Sequence, residues 1–368
     1  MRNKLKIENG KLARTNKLLL SLCCTAFGLV VAVSCVKDTP VYDEKEIRLG
    51  INDVKSSRAT VTDMGNLTSQ EVGVYGYYTA TERWVWSSLN VVPNLSANYF
   101  FNKKLEYTAG DWGYGTPKYW PPDTINKISF FAYAPYVDVT GDKGITPYPA
   151  AKTDAGSPLL NYVVPADIND QSDLIWDSKI DMSHAHAPVM FDMKHALTRI
   201  SFTAALAVGE STKNYSAKIT EISLSGVHGQ GDLDLVTGIW YPYTLPMIPL
   251  AEYHLDDTDF ATPIFYTDVP ADFTVRNLIA GSQYWMLIPQ QITAATVLNI
   301  TLEIEFFSTP GVPVITAMSV PLEPIMTEWT AGQAIEFNLS IAGTFIAVVT
   351  NITQWITTGM SGTGDVEF

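Results

Sequence analysis

Two histidines with strand spacing are the first residues whose types suggest chemistry. His184 and His186 lie two positions apart, so on a β-strand both side chains would point to one face, as two ligands of a metal ion do. No carboxylate or third histidine stands at a recognisable ligand spacing beside them. We therefore favour a polar linker over a metal site for this stretch.

Carboxylates are the second set of residues that suggests a ligand, because their oxygens bind calcium. They form a cluster and a pair on one predicted strand face: Asp167, Asp170, Asp173, Asp177, Asp181, Asp232 and Asp234. An EF-hand requires a loop with a defined glycine and a terminal glutamate, and neither run contains one. The sequence favours solvated acidic loops over a calcium site.

The sequence lacks the common catalytic motifs. It contains no Gly-x-Ser-x-Gly nucleophile turn, no His-Glu-x-x-His metal motif and no glycine-rich phosphate loop. Its carboxylates are too numerous for spacing to select one pair for glycoside cleavage. We therefore predict that the protein is not an enzyme and uses no cofactor or metal.

The first 35 residues predict export. Lys and Arg precede an apolar run over residues 18–35, which is short for a membrane span and ends in Ala32-Val33-Ser34-Cys35. This order predicts a lipoprotein signal peptide over residues 1–34 and a lipidated Cys35; the alternative is an ordinary secretory signal with an incidental cysteine. Cys23 and Cys24 lie inside the signal, so the exported chain has no disulfide or thiolate chemistry.

The charge balance restricts the partners. The chain has 24 Lys and Arg against 38 Asp and Glu, a formal net charge of −14, and the predicted signal carries six of the basic residues but only one acidic residue. The exported part is more acidic still and repels phosphate backbones, so no nucleic-acid partner is expected. We expect attachment to the outer membrane through the lipid on Cys35 rather than through a basic patch.

Beyond residue 40 the hydrophobic pattern has a period of two residues. The clearest segments are Val72–Tyr78, Ile128–Tyr133, Ile219–Ser225, Thr296–Phe306 and Ala334–Ile341. They are rich in β-branched and aromatic residues, and Gly, Pro, Asn and Asp separate them. The sequence thus predicts an all-β fold of two antiparallel β-sandwich domains.

A turn-prone stretch, Met182–Pro188, separates two groups of strands. We predict a leader strand over residues 35–58, an N-terminal sandwich over residues 59–187 and a C-terminal sandwich over residues 188–368. The boundary rests on the small, polar composition of this stretch, which is poor in core-forming residues.

Aromatic residues crowd the predicted N-terminal domain: Tyr75, Tyr77, Trp84, Trp86, Trp112, Tyr114, Tyr119 and Trp120. If exposed, they would stack on sugar rings and make this domain a glycan reader. Several have strand spacing, however, and large aromatic side chains normally fill sandwich cores. Core packing is the better interpretation.

Four segments resemble the fimbrillins of Bacteroidia, the type V pilin subunits that include the Mfa-like group. They are Lys118–Pro121 with Ile128–Pro135, Phe191–Phe202, Tyr284–Gln290 and Trp329–Phe337. The corresponding family patterns are Tyr-Trp-Pro with Phe-x-Ala-Tyr-x-Pro, Phe-x-x-x-His-Ala-Leu, Ile-Pro-Gln, and Trp-x-x-Gly-x-x-Tyr-x-Phe, in which Ile335 replaces the usual tyrosine. With the signal peptide, the resemblance extends over residues 18–368.

The resemblance implies two tandem sandwiches of Greek-key or transthyretin-like topology and a fimbrial (pilus) subunit that supports cell adhesion. It also implies donor-strand exchange: a trypsin-like, Arg-specific protease removes the N-terminal strand, and the C-terminal segment of another fimbrial subunit fills the groove. The candidate cleavage site is Arg58–Ala59, whose small polar neighbours make it accessible. Alternatively, Arg58 is an ordinary loop arginine and the mature chain begins at Cys35.

Both ends of the exported chain have the alternation that strand exchange requires. Ile47, Leu49 and Ile51 occupy every second position, so one face of this leader is suited to fill a groove. The candidate donor strand places four apolar residues on one face: Ile346, Val348, Ile352 and Ile356. The alternative is that this strand completes its own domain.

The alternative function for the whole protein is a surface-anchored adhesin or glycan-binding lipoprotein, that is, a tip or accessory subunit of a fimbrium.

Overall fold

The computed structural model describes residues 46–54, 67–81, 84, 95–123, 125–210, 214–242, 251–256, 259–260, 264–267, 274–279 and 284–354. Most of these residues lie in β-strands, so the predicted all-β fold is confirmed. Two single-turn 3-10 helices, Ile168–Asp170 and His184–His186, interrupt the strands. Within the described part, no helix has the length and apolar character needed to cross a membrane.

The strands are numbered in chain order. The first eleven are β1 (Leu49–Val54), β2 (Val72–Ala80), β3 (Phe100–Thr108), β4 (Asp111–Gly113), β5 (Lys127–Ala134), β6 (Ile145–Tyr148), β7 (Leu159–Val163), β8 (Ile175–Met182), β9 (Val189–His195), β10 (Thr198–Leu206) and β11 (Tyr215–Val227). The others are β12 (Gln230–Asp234), β13 (Trp240–Pro242), β14 (Ala251–Leu255), β15 (Ile264–Tyr266), β16 (Arg276–Asn277), β17 (Trp285–Leu287), β18 (Gln290–Gln291), β19 (Val297–Phe306), β20 (Val314–Pro321), β21 (Glu328–Trp329), β22 (Gln333–Ala342) and β23 (Phe345–Gln354).

The first sheet has seven strands in the order β1-β9-β8-β5-β2-β3-β4. Its strand pairs are antiparallel except for β1, which lies parallel to β9. A second sheet, β13-β12-β7-β6, combines strands from the two predicted domains. The leader strand β1 lies at one edge of the first sheet, and it pairs with β9 rather than with β2, the next described strand in sequence.

Two five-stranded sheets contain most of the later strands. One has the order β16-β10-β22-β23 with β17 on β10, and the other has the order β14-β11-β19-β20 with β15 on β11. Alternate residues of β19 and β22 are buried, as the period of two in their sequence predicts. Phe202 lies between Trp285, with ring centroids 5.2 Å apart, and Phe337, at 5.5 Å. These three rings form part of the core between the sheets.

The chain passes between the sheets at residues 196–197. β8 and β9 pair through Ile175 with His195, so the first sheet continues beyond residue 187 to residue 195. The indole of Trp240 donates a hydrogen bond to the Ala196 carbonyl at 2.7 Å, which joins the second sheet to this crossing. One buried apolar cluster runs from Tyr75 to Ile346. The division into two tandem sandwiches stays a prediction.

We predict that Phe202→Ala lowers the free energy of unfolding by about 3–5 kcal/mol, because it leaves a cavity between two aromatic rings. Phe202 is 1% exposed. Urea unfolding followed by tryptophan fluorescence measures the change. Phe307→Ala is the control, since Phe307 is 41% exposed and its removal opens no cavity. Equal stability of the two variants would contradict the packing described.

Candidate functional site

The leader strand is buried in the first sheet's core. Ile47, Leu49 and Ile51 are at most 5% exposed, whereas Arg48 between them is exposed. The predicted apolar face of the leader is therefore confirmed. This alternation arises because successive side chains of a strand point to opposite faces of the sheet.

One wall of the leader's groove is β9. Leu49 lies opposite Val189 and Ile51 lies opposite Phe191 in a parallel register. The backbone N–H of Val189 donates to the carbonyl of Arg48 at 2.9 Å. The leader thus covers a strand edge whose backbone groups would otherwise need another partner.

The opposite wall is the segment from Tyr114 to Tyr119. The backbone N–H of Ile47 donates to the Lys118 carbonyl at 2.8 Å, and Glu46 forms a single antiparallel bridge with Tyr119. The Tyr114 hydroxyl donates to the Ile47 carbonyl at 2.5 Å. Burial raises the pKa of Tyr114 to about 12, so this hydroxyl keeps its proton at neutral pH and remains a donor.

The floor of the groove is apolar. The leader and the β9 residues Val189, Phe191 and Met193 share one buried apolar cluster with the residues of the floor: Leu67, Val72, Val74, Phe100, Leu105, Trp120, Ile128, Phe130, Ala132, Ala134 and Ile175. Burial of three leader side chains at about 2 kcal/mol each contributes about 6 kcal/mol before ordering costs. Gly50 permits a close approach, because a Cβ there would lie 2.9 Å from the Met190 Sδ. The site therefore binds an extended segment with alternating apolar side chains.

The C-terminal strand completes a sheet of its own chain. β23 pairs with β22 from Ala342 opposite Phe345 to Gln333 opposite Gln354, and it is the last strand in its sheet. On its predicted donor face, Ile346 is buried, Val348 is half-buried and Ile352 is 47% exposed. The apolar face is thus only partly covered, and its use as a donor stays a prediction.

Several predicted site residues lie outside the described part of the chain. They are the lipidation residue Cys35, the cleavage residues Arg58 and Ala59, and the last donor residue Ile356. The predicted cleavage site falls in the stretch that connects β1 to Leu67.

His186, Asp173 and His195 make hydrogen bonds that stabilise the fold. His186 caps the short helix that begins at His184, since its Nδ1 accepts from the Ser183 N–H at 3.1 Å. Asp173 is buried with His195, whose Nδ1 lies 3.0 Å from the carboxylate. No group of three or more potential metal ligands occurs among the described residues.

Solvated acidic loops proved to be the wrong interpretation for three of the aspartates. Asp173, Asp177 and Asp234 are all buried. Asp177 accepts from the Asp192 backbone N–H at 2.8 Å and forms a 3.0 Å ion pair with Lys179. These partners compensate the desolvation of the carboxylate, which sequence spacing does not reveal.

The aromatic residues of the first part of the chain fill cores. The buried ones are Tyr75, Tyr77, Trp84, Tyr114 and Trp120, so the core interpretation is confirmed for them. Trp112 packs partly buried against the leader's core, whereas Tyr119 is exposed. Trp86 lies outside the described residues. The described members of this aromatic set therefore do not form a common exposed platform for sugars.

Sequence reasoning missed the two walls of the groove. The apolar alternation of Val189, Phe191 and Met193 was visible, but it did not reveal that this strand pairs with the leader rather than with the second half of the chain. The hydrogen bonds that clamp Ile47 come from the Tyr114 hydroxyl and the Lys118 backbone carbonyl. A backbone carbonyl is present in every residue, so the sequence does not reveal the second bond.

Three comparisons with known proteins all find fimbrial proteins. A family described as fimbrillin-like matches residues 57–355. The fimbrium subunit Fim1C of Phocaeicola vulgatus is 29% identical over 168 residues, which are 43% of this chain and 42% of that protein, so the match spans less than half of the relative's length. The crystal structure of a fimbrial protein from Bacteroides vulgatus has a TM-score of 0.65 and 19% identity, and covers 84% of this chain and 99% of its own. This likeness shows a shared fold. Since the family match includes every strand from β2 to β23, the chain belongs to the fimbrillin-like family.

Proposed function

We propose that the chain is a fimbrial structural subunit, exported as a lipoprotein through Cys35 and displayed at the outer membrane. It assembles with other fimbrial subunits by donor-strand exchange after an Arg-specific protease cuts at Arg58. The observation that carries the proposal is the leader strand, which fills an apolar groove and precedes the candidate cleavage site in sequence. The fimbrillin-like family and the fimbrium subunit Fim1C support the same role.

The covalent connection between the leader and the rest of the chain supports donor-strand exchange as the mechanism. In sequence, residues 55–66 connect β1 to Leu67, and they contain Arg58. While this link is intact, the leader has a high effective concentration at its groove. A cut after Arg58 removes that advantage and leaves only the pairing with β9, the clamp at Tyr114 and the apolar contacts. The cut leader then dissociates at a rate set by these contacts.

The groove without its leader would bind an extended apolar strand. It would expose the backbone groups of the β9 edge and the apolar floor. A strand with apolar residues on one face would pair with that edge and cover that floor. β23 provides Ile346, Val348 and Ile352 on one face, with Thr350 between the last two. To donate, β23 exchanges its backbone hydrogen bonds with β22 for bonds with β9 of another subunit. Because the backbone bonds are replaced in kind, the apolar side chains decide the direction of the exchange.

We predict that an Arg-specific protease produces a new N-terminus at Ala59 and that the cut protein then forms multimers. Cutting lowers the effective concentration of the leader and opens the groove. Mass spectrometry identifies the N-terminus, and size-exclusion chromatography with light scattering follows multimer size. Arg58→Ala is the control; it should give no new N-terminus at Ala59 and should stay monomeric. A protein that is cut after Arg58 and stays monomeric would contradict donor-strand exchange.

Leu49→Ala should release the cut leader about tenfold faster or more, because it removes one of three buried leader side chains. The matched control is Arg48→Ala, which changes the exposed neighbour on the opposite face. Loss of the leader peptide over time, measured by mass spectrometry after cleavage, gives the rate. Equal rates for both variants would show that the apolar contacts do not hold the leader.

We predict that Ile352→Asp abolishes multimers and leaves the monomer folded. Ile352 is 47% exposed in the monomer, so a charge there costs little, but in a neighbour's groove it would be buried without a partner. Val349→Asp is the control, since Val349 is 64% exposed and lies on the opposite face of β23. Multimer formation by Ile352→Asp, or its loss in both variants, would contradict the predicted donor face.

A further inference from the structure

An open cavity of about 370 Å³ lies on the second sheet, β13-β12-β7-β6. Its lining residues are Thr146, Pro147, Tyr148, Ala150, Leu159, Asn161 and Asp232. The cavity involves neither the leader's groove nor β23. Its residues come from three adjacent strands and the loop after β6, so its floor belongs to a rigid sheet.

The strand register places a polar row across the cavity. Thr146 lies opposite Asn161, and Asn161 lies opposite Asp232. The neighbouring residues Leu160 and Leu233 are buried on the other face of the sheet. Side chains alternate along strands, so the polar row is on the face turned away from that core.

The polar groups of the row are oriented by hydrogen bonds. Asn161 donates from its Nδ2 to the Asp232 carboxylate at 2.9 Å. Gln230 donates to the Asn161 Oδ1 at 3.5 Å, the limit of a hydrogen bond. A carboxylate with two oxygens and an amide with both donors and acceptors are the groups that bind vicinal hydroxyls. Their orientation reduces the entropy that a ligand would otherwise have to offset.

Tyr148 provides a fixed aromatic surface beside this row. Its side chain is 41% exposed, and its hydroxyl donates to the Ala155 carbonyl at 3.3 Å. The ring also packs closely on Gly156, because a Cβ at Gly156 would lie 3.1 Å from the Tyr148 Cε1. The ring is therefore held at its edge and at its hydroxyl while a large part of it remains open to a ligand.

We propose that this cavity binds a neutral saccharide. The apolar face of a sugar ring packs on Tyr148, and its hydroxyl groups bind Asn161 and Asp232. A volume of about 370 Å³ is at the lower end of the range for small-molecule sites, which suits one or two sugar rings. Asp232 and the net charge of −14 disfavour sialylated or sulfated glycans. The inference does not depend on strand exchange, since the cavity is complete in one chain.

The test uses the full-length chain in lauryldimethylamine oxide, a detergent without a sugar headgroup. The probe is an array of neutral, sialylated and sulfated glycans, followed by titration with the best neutral oligosaccharide. Tyr148→Ala should weaken binding about tenfold or more, and Tyr148→Phe should retain it, because the ring rather than the hydroxyl contacts the sugar. Tyr266→Ala is the matched control, since Tyr266 is 46% exposed on another sheet.

Asp232→Asn tests the charge. It should weaken neutral-glycan binding several-fold, because charge-assisted hydrogen bonds to hydroxyls become neutral ones. Thermal unfolding checks that each variant is folded. No neutral glycan bound by the unmodified chain, equal losses in Tyr148→Ala and Tyr266→Ala, or a preference for anionic glycans would each overturn the proposal.

Discussion

The parallel pairing of β1 with β9 is the contact on which the burial of the first sheet depends. It places Ile47, Leu49 and Ile51 over a floor of aromatic and aliphatic side chains. Without these three residues, one edge and part of the apolar floor would be open to water. The free energy of this burial therefore stabilises the first sheet, and under the proposed strand exchange it would also favour the binding of a replacement strand.

The leader and β23 differ in how completely they are buried. The leader is enclosed between β9 and residues 114–119, whereas β23 pairs with β22 alone among the described strands. Ile346 belongs to the core, but burial declines along β23 towards Ile352. A strand that is anchored at its start and exposed further on has a low cost of detachment for its outer part.

The cavity at Tyr148 lies apart from both strands. Its floor is a row on adjacent strands, which keeps the Asn161–Asp232 pair in place. In an assembled fimbrium the same cavity would be repeated in every subunit, and weak saccharide binding at each copy would then add up to strong attachment. Assembly and recognition would thus use different sheets of one chain.

The sequence alone determined the all-β class, the strand periodicity and the apolar face of the leader, because these follow from alternation along the chain. The family resemblance, carried by segments such as Phe191–Phe202 and Trp329–Phe337, was also readable there and agrees with the fimbrillin-like match. The buried state of Tyr75 and Tyr77 followed from strand spacing in the same way.

Only the tertiary structure decided which strands meet. Phe191–Phe202 is one continuous segment of the family resemblance, yet it divides into β9 and β10 in two different sheets. Burial of Asp173 and Asp177 depends on His195 and Lys179, whose proximity is set by strand pairing rather than by spacing. The row from Thr146 to Asp232 joins residues far apart in sequence for the same reason. Alternation specifies a strand's faces, but its neighbours are chosen by the packing of the whole chain.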